Sequence, residues 1–179
     1  RQAIKRDEQH MAAWYNCGNL LFEQKQYEDA IGCWDKAIAI YPDLFRAWNN
    51  RAAAWTQIDR EDLAVTNYER AIKINPEFAR AYDNFAWLLA TSDSRDIRDP
   101  DRAVELAAVA CQLSGRQEWS FLSTLAACQA EAREYEKADA AAQEALNLAP
   151  ADQRRNLMRL SRMYRGRAHR QAGRSLRRL

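Results

Sequence analysis

Glycine and proline are scarce in this chain, 5 and 4 residues of 179. That scarcity excludes a many-stranded β-sandwich, whose reversals need turn formers at short intervals. Histidine is rarer still: His10 and His169 lie near opposite ends of the sequence. The four cysteines, Cys17, Cys33, Cys111 and Cys128, contain no C-x-x-C pair. A structural zinc site needs about four clustered ligands, so no metal is expected, and the cysteines read as buried free thiols acting as small hydrophobes. There is no P-loop, no G-x-G-x-x-G and no G-x-S-x-G, and two peripheral histidines offer little to a Cys–His couple. No catalytic residue, no cofactor and no enzymatic activity are expected. No apolar run approaches the roughly 18–20 residues that cross a bilayer. No signal-peptide core follows Arg1-Gln2-Ala3-Ile4-Lys5-Arg6, and the expectation is a soluble, cytoplasmic chain.

What the sequence does have is helix-forming composition. Hydrophobic residues make up 47% and charged residues 29%, too apolar for a disordered chain. Alanine is abundant beside Glu, Arg, Leu and Gln, the mix that favours helix. The length suits one domain or two small ones. The net charge of +2 conceals an asymmetry. Residues 151–179 hold ten Arg and one Asp, a net +9, which leaves 17 basic and 24 acidic side chains and a net −7 for residues 1–150. An acidic body with an arginine-rich tail suggests two kinds of partner or a tail that folds back.

Self-similarity decides the organisation. Pro42 and Pro76 are 34 residues apart, and so are Trp14 and Trp48, Ala30 and Ala64, and Ala37 and Ala71. One unit, 11–44, carries Trp14, Gly18, Leu21, Ala30, Trp34, Ala37 and Pro42; the next, 45–78, carries Trp48, Ala52, Trp55, Ala64, Tyr68, Ala71 and Pro76 at the same offsets. A third unit, 79–118, begins with Tyr82, Phe85, Ala86 and Leu89 in register, but the small residue of its second helix, due at position 98, is matched by Ala103, five later than the period requires. The extra residues lie in the polar stretch from Thr91 to Pro100, where Asp99 is expected as N-cap and Pro100 at the first helical position. A fourth unit, 119–152, follows with Leu122, Leu125, Ala126, Ala138, Ala142, Ala145 and Pro150. The small residues are expected where two helix backbones approach closely, and the aromatics between hairpins.

A period of 34 with these residues at these offsets resembles the tetratricopeptide repeat family, with a lengthened loop in the third repeat as in bacterial members. The resemblance implies an all-α, right-handed superhelical α-solenoid of helix-turn-helix hairpins, closed by a C-terminal capping helix. It also implies that the first helix of each hairpin lines a concave groove for an extended peptide of a partner protein. The outward positions are the second, fifth, sixth, ninth and thirteenth of each repeat, and they supply Tyr15, Asn16, Asn19, Arg46, Asn49, Asn50, Arg80, Asp83, Asn84, Trp87, Ser123 and Thr124. Asn16, Asn50 and Asn84 recur at the sixth position, although Asn is a poorer helix former than Ala or Leu. Each amide offers a donor and an acceptor to a peptide backbone. With helices roughly 8–10 Å apart and about 3.3 Å per extended residue, such a row would meet a guest about every third residue. The row resembles the asparagine ladders of peptide-binding members; solvated polar positions on a free face are the alternative. Trp87 reads either as an anchor for a guest side chain or as a residue packed under the long loop. The family's carboxylate clamp is matched by Asn19, Asn50 and Arg80, but Tyr15 and Asn84 stand where two of its three cations belong, so a chaperone-tail adaptor is not expected.

The ends carry separate expectations. Residues 1–10 read as the end of a preceding helix, either the remnant of a repeat from a longer array or an orphan N-terminal cap. After Pro150, residues 151–164 are expected to cap the last hairpin through Leu157, Leu160 and Tyr164, within a final region 153–179 of capping helix and Arg-rich tail. That tail, with Arg165, Arg167, Arg170, Arg174, Arg177 and Arg178, reads as a solubilising end or as a contact for nucleic acid or another anionic surface. The expected function is a protein-interaction scaffold or assembly factor, with a nucleic-acid- or anionic-surface-associated adaptor as the alternative.

Overall fold

The computed structural model describes the backbone of residues 2–176 and the side chains of residues 7–172. Nine helices and no strands occur among the described residues: α1 (Gln2–Glu23), α2 (Tyr27–Ile40), α3 (Phe45–Gln57), α4 (Glu61–Ile74), α5 (Ala79–Thr91), α6 (Pro100–Leu113), α7 (Trp119–Glu131), α8 (Tyr135–Leu148) and α9 (Ala151–Leu176). The chain divides into two compact units at Asn84/Phe85, within α5.

In the first unit α1 packs on α2, α2 on α3, and α3 on α4. Ala30, Ile31, Trp34, Ile38, Ala47 and Ala54 form its core, with Tyr15, Phe22, Trp48 and Trp55 packed partly buried around them. Gly18 is where the first hairpin closes most tightly. A Cβ added there would lie 2.5 Å from Nε1 of Trp34, and the indole is only 1% exposed, so no larger residue fits without moving the ring. In the second unit α6 packs on α7, α7 on α8, and α8 on α9. Its α8 buries Ala138, Ala141, Ala142 and Ala145, and the α7 it packs on buries Phe121, Leu122 and Leu125.

The turns inside the first, second and fourth hairpins share one geometry. Lys25, Asp59 and Arg133 have φ of 62°, 59° and 62°. The following N–H groups, of Gln26, Arg60 and Glu134, reach back to the carbonyls of Leu21, Trp55 and Gln129 at 2.9, 2.9 and 2.8 Å. This is the Schellman helix end, in which one left-handed residue satisfies two carbonyls of the last turn. After α2 and α4 the chain instead leaves through an extended residue, Tyr41 and Asn75, whereas after α6 it turns through Gly115 and Arg116 at φ of 60° and 57°. The Trp48 indole N–H then pins the first of these links by donating to the Pro42 carbonyl at 2.8 Å.

The lengthened loop is bonded to the second unit. Ser92 is buried, the Asp99 N–H donates to the Leu89 carbonyl at 3.0 Å, and Arg98 pairs with Glu131 of α7. Asp99 caps α6 by accepting from the Arg102 N–H at 3.0 Å, with Pro100 in the first turn, as the sequence leads one to expect. Trp87 is 51% exposed, so the loop does not cover it.

Two expectations about the ends are corrected. Residues 2–10 are not the end of a separate helix; they continue α1 without a break, because nothing between Gln2 and Cys17 is Gly or Pro. Likewise α9 does not stop near Tyr164 but runs to Leu176, through a stretch rich in Arg, Gln and Ala that propagates helix despite Gly166. The side chain of Arg174 and the whole of Arg177 and Arg178 lie outside the described residues.

Candidate functional site

A chain of amides crosses the first unit. The Asn84 Nδ2 donates to Asn49 Oδ1 at 3.0 Å. Asn49 Nδ2 donates to Asn50 Oδ1 at 3.1 Å, and Asn50 Nδ2 donates to Asn19 Oδ1 at 2.9 Å and to the Tyr15 hydroxyl at 3.3 Å. Three first helices, α1, α3 and α5, therefore contribute to one hydrogen-bonded line. The line starts from a buried residue: Asn49 is 2% exposed, and its amide could not stay there without partners. Asn50 Nδ2 spends both of its N–H groups inside the line. Among the described residues the Asn19 Nδ2 donor and the Asn84 Oδ1 acceptor are left over at its two ends.

This line borders an open cleft of about 440 Å³, lined by Asn19, Phe22, Glu23, Trp34, Asn49, Asn50, Ala53, Arg80 and Asn84. Phe22 and Ala53 give the cleft an apolar wall, backed by the buried Trp34 ring 5.9 Å from that of Phe22 and tilted to it. Glu23 and the exposed Arg80 add one charge of each sign. The walls are held by the core described above, so the cleft is a property of the packed hairpins and not of a loop.

The residues expected from the sequence separate into groups. Asn19, Asn49, Asn50, Arg80 and Asn84 line the cleft, and Tyr15 touches it by bonding Asn50. Asn49 is not an outward groove residue but the buried centre of the amide line, because the long reach of Asn84 and Asn50 caps it from both sides. The three-rung row of free amides is replaced as well. Asn50 and Asn84 are half-buried and joined through Asn49, whereas Asn16 is exposed and outside the line, its place taken by Asn19. Truncating Asn50 and Asn84 would therefore strip partners from a buried amide and cost stability. Arg46 lies over the Phe45 and Phe78 rings at 5.3 and 5.7 Å and does not line the cleft. Asp83 raises the pKa of the buried Tyr68 hydroxyl, adding to the larger effect of burial. Trp87, Ser123 and Thr124 belong to the second unit, on the end of α5 and on α7.

Phe22, Glu23, Trp34 and Ala53 were missing from the expected lining. Ala53 and Glu23 stand at the ninth and thirteenth repeat positions, outward by the same rule that selected Asn19, so a signal existed for both. Trp34 had none: its role as a repeat core residue hides that it backs the cleft.

The Arg-rich helix is partly tied down. Arg165 Nε donates to Asp139 Oδ2 of α8 at 2.9 Å, and Arg167 lies 5.7 Å from the Tyr135 ring. Arg170 is exposed. Arg155, Arg159 and Arg162 share another, exposed face. No helix among the described residues is long and apolar enough to cross a membrane.

Comparison with known proteins supplies the remaining findings. Residues 12–44 and 45–78 each match a family model described as tetratricopeptide repeat. A curated relative, tetratricopeptide repeat-containing protein trd-1 of Caenorhabditis elegans, is 26% identical over 55 residues; the match covers 31% of this chain and 7% of that much longer protein. Among solved structures, the chain is similar to MamA at 17% identity and TM-score 0.65, over 81% of this chain and 76% of MamA. It is similar to PilW, described as a widely conserved type IV pilus biogenesis factor, at 19% and 0.70, over 78% of this chain and 62% of PilW. It is also similar to YrrB, described as a TPR protein with an unusual peptide-binding site, at 19% and 0.64, over 83% of this chain and 74% of YrrB. At these identities the likeness concerns the fold.

Proposed function

From the premise that this chain is a tetratricopeptide repeat protein, with its repeats matched over 12–78, we propose that it is a protein-interaction scaffold whose cleft in the first unit binds an extended segment of a partner protein. The observation that carries this reading is the amide line with both ends open beside an apolar wall. An extended backbone presents carbonyls and N–H groups alternately. One guest carbonyl accepts from Asn19 Nδ2, one guest N–H donates to Asn84 Oδ1, and an apolar guest side chain lies against Phe22 and Ala53. The internal bonds hold the amides in place before the guest arrives, which lowers the ordering cost of binding. Glu23 and Arg80 favour a segment carrying both charges. That YrrB is described as having a peptide-binding site agrees with a fold that presents such clefts, and PilW's description agrees with a part in assembly.

The test is selection of a displayed random peptide library on the intact chain, followed by affinity measurement of the enriched peptides. Replacing Asn19 or Asn84 by Ala should weaken an enriched peptide by about 0.5–1.5 kcal/mol per lost hydrogen bond. Peptides that bind both variants as tightly as the parent would sink the cleft reading.

A second reading is favoured by the Arg155, Arg159 and Arg162 face of α9: a polyanion, nucleic acid above all, binding there while the cleft recruits protein. Its mark is salt dependence, since phosphate contacts release counterions and the affinity falls steeply with added salt, whereas a cleft complex built on amides changes little.

A further inference from the structure

Cys17 of α1 and Cys33 of α2 face each other across the first hairpin, with the Cys33 thiol donating to the Cys17 sulfur at 3.2 Å. Both are free thiols. Each immediately precedes one member of the Gly18–Trp34 contact, so the closest approach of the two helices also sets the distance between the sulfurs. A disulfide requires about 2.05 Å between sulfurs, a further closure of about 1.2 Å from the present 3.2 Å. Cys17 is partly exposed, whereas Cys111 and Cys128 are wholly buried, and access to an oxidant therefore differs between the four.

We propose that Cys17 and Cys33 form a dithiol modification site that a low-molecular-weight disulfide, such as oxidised glutathione, converts into a disulfide tying α1 to α2. The more accessible Cys17 thiolate attacks one sulfur of the oxidant; its S–S bond breaks, and one glutathione leaves as thiolate and takes a proton. Cys33 then gives its proton to water, and its sulfur attacks Cys17 Sγ in the mixed disulfide, expelling the second glutathione. Two protein thiols are oxidised and one small disulfide is reduced to two thiols, with two electrons and two protons transferred. Burial, assisted by the bond to Cys17, holds the Cys33 thiol up at about 11, while Lys36 pulls it down and Asp29 pushes it up. The raised pKa keeps Cys33 protonated until Cys17 has reacted, so the exposed thiol is the one that meets the oxidant first. The product closes a loop around the turn at Lys25 and removes freedom from the unfolded chain. It also holds Asn19, Phe22 and Trp34, three lining residues of the cleft, in a hairpin that cannot open.

The test treats the reduced, intact chain with oxidised glutathione, quenches with acid and counts thiols in denaturant. The expected result is loss of two of the four thiols, an intact mass lower by about 2 Da, and a Cys17 peptide joined to a Cys33 peptide on digestion. The unfolding midpoint should rise by a few degrees and return on reduction. Cys33→Ser should stop at the glutathione adduct on Cys17. Persistence of all four thiols overturns the proposal, as does a parent chain that stops at the adduct or a cross-link that includes Cys111 or Cys128. None of these readouts depends on what the cleft binds.

Discussion

At the eighth position of the first repeat stands Gly18 and at that of the fourth Ala126; at the twenty-fourth position stand Trp34 and Ala142. The first hairpin sets a missing side chain against a large one, the indole lying where a Cβ on Gly18 would be. The fourth has alanine at both positions and buries its large side chains, Phe121, Leu122 and Leu125, on the first helix instead. One hairpin geometry is thus filled from opposite sides. The polar faces differ in parallel: the fifth and sixth positions carry the bonded amides Asn49 and Asn50 in the second repeat, but the hydroxyls Ser123 and Thr124 in the fourth. The cleft lies in the unit whose hairpin is filled by Trp34, with the buried ring behind Phe22 and Ala53 of the lining.

The largest expected effect tests that allotment of volume. Trp34→Ala makes the first hairpin resemble the fourth at one position and should cost about 3–5 kcal/mol, the range for emptying a buried large aromatic. Gly18→Ala alone should cost about 1–3 kcal/mol through overpacking, although Ala is the better helix former. In the Trp34→Ala background the same Gly18→Ala change should turn favourable by up to about 1 kcal/mol, because the clash is gone. Denaturant melts of the four proteins form a double-mutant cycle, and additive costs would show that the two residues do not oppose each other.

Next comes the polar face. Asn49→Ala leaves Asn84 Nδ2 and Asn50 Oδ1 without their shared partner and should cost about 1–2 kcal/mol. Thr124→Ala, at the position matching Asn50, should change stability by less than about 0.5 kcal/mol. Equal losses in thermal melts would mean that the amide line has no structural weight.

Acid should act on the second unit through Asp139. Partial burial raises the pKa of Asp139, but bonds from Ser161, Arg165 and Gln143 outweigh it and hold the carboxyl below its usual range. A carboxylate with a lowered folded pKa contributes stability that is fully present above the ordinary carboxylate range and is lost as pH falls through the lowered value. The α8–α9 contact should therefore weaken below about pH 4, by about 1 kcal/mol. Asp139→Asn should already lack this contribution at neutral pH and show a flatter acid limb. An unchanged limb in that variant would remove Asp139 from the contact.

The hairpins were legible in the sequence because spacing and residue size both report helix approach: Gly18, Ala52 and Ala86 stand where large residues cannot fit, and all are buried. Asp99 and Pro100 announced α6 for a local reason, a side-chain cap followed by a residue that needs no N–H partner. The site was only partly legible. A repeat position says which way a side chain leaves its helix, not what the next helix offers it, and so Asn49 and Asn50 looked equally outward although one is 2% exposed. The amide line depends on three helices and on side-chain reach, which no single-repeat rule contains. The ends were misjudged because boundaries were inferred from the repeat period, whereas a helix continues until a residue stops it.

The smallest expected effect concerns the turns that both units share. Lys25 and Arg133 sit at φ of 62°, where a side chain's Cβ crowds the following carbonyl at a cost of roughly 1 kcal/mol and glycine does not. Asp59, at 59°, is of a type that tolerates this conformation better, since its short side chain bonds locally. Lys25→Gly and Arg133→Gly should each raise stability by about 0.5–1 kcal/mol, less the small gain in unfolded-state freedom, and Asp59→Gly should gain less than either. Because the three turns carry the same pair of backbone bonds, the first two gains should be equal whether the hairpin around them is filled by Trp34 or by alanines. Denaturation midpoints measure this directly. A gain in one hairpin and a loss in the other would mean that the turn is set by the packing beneath it and not by its own backbone.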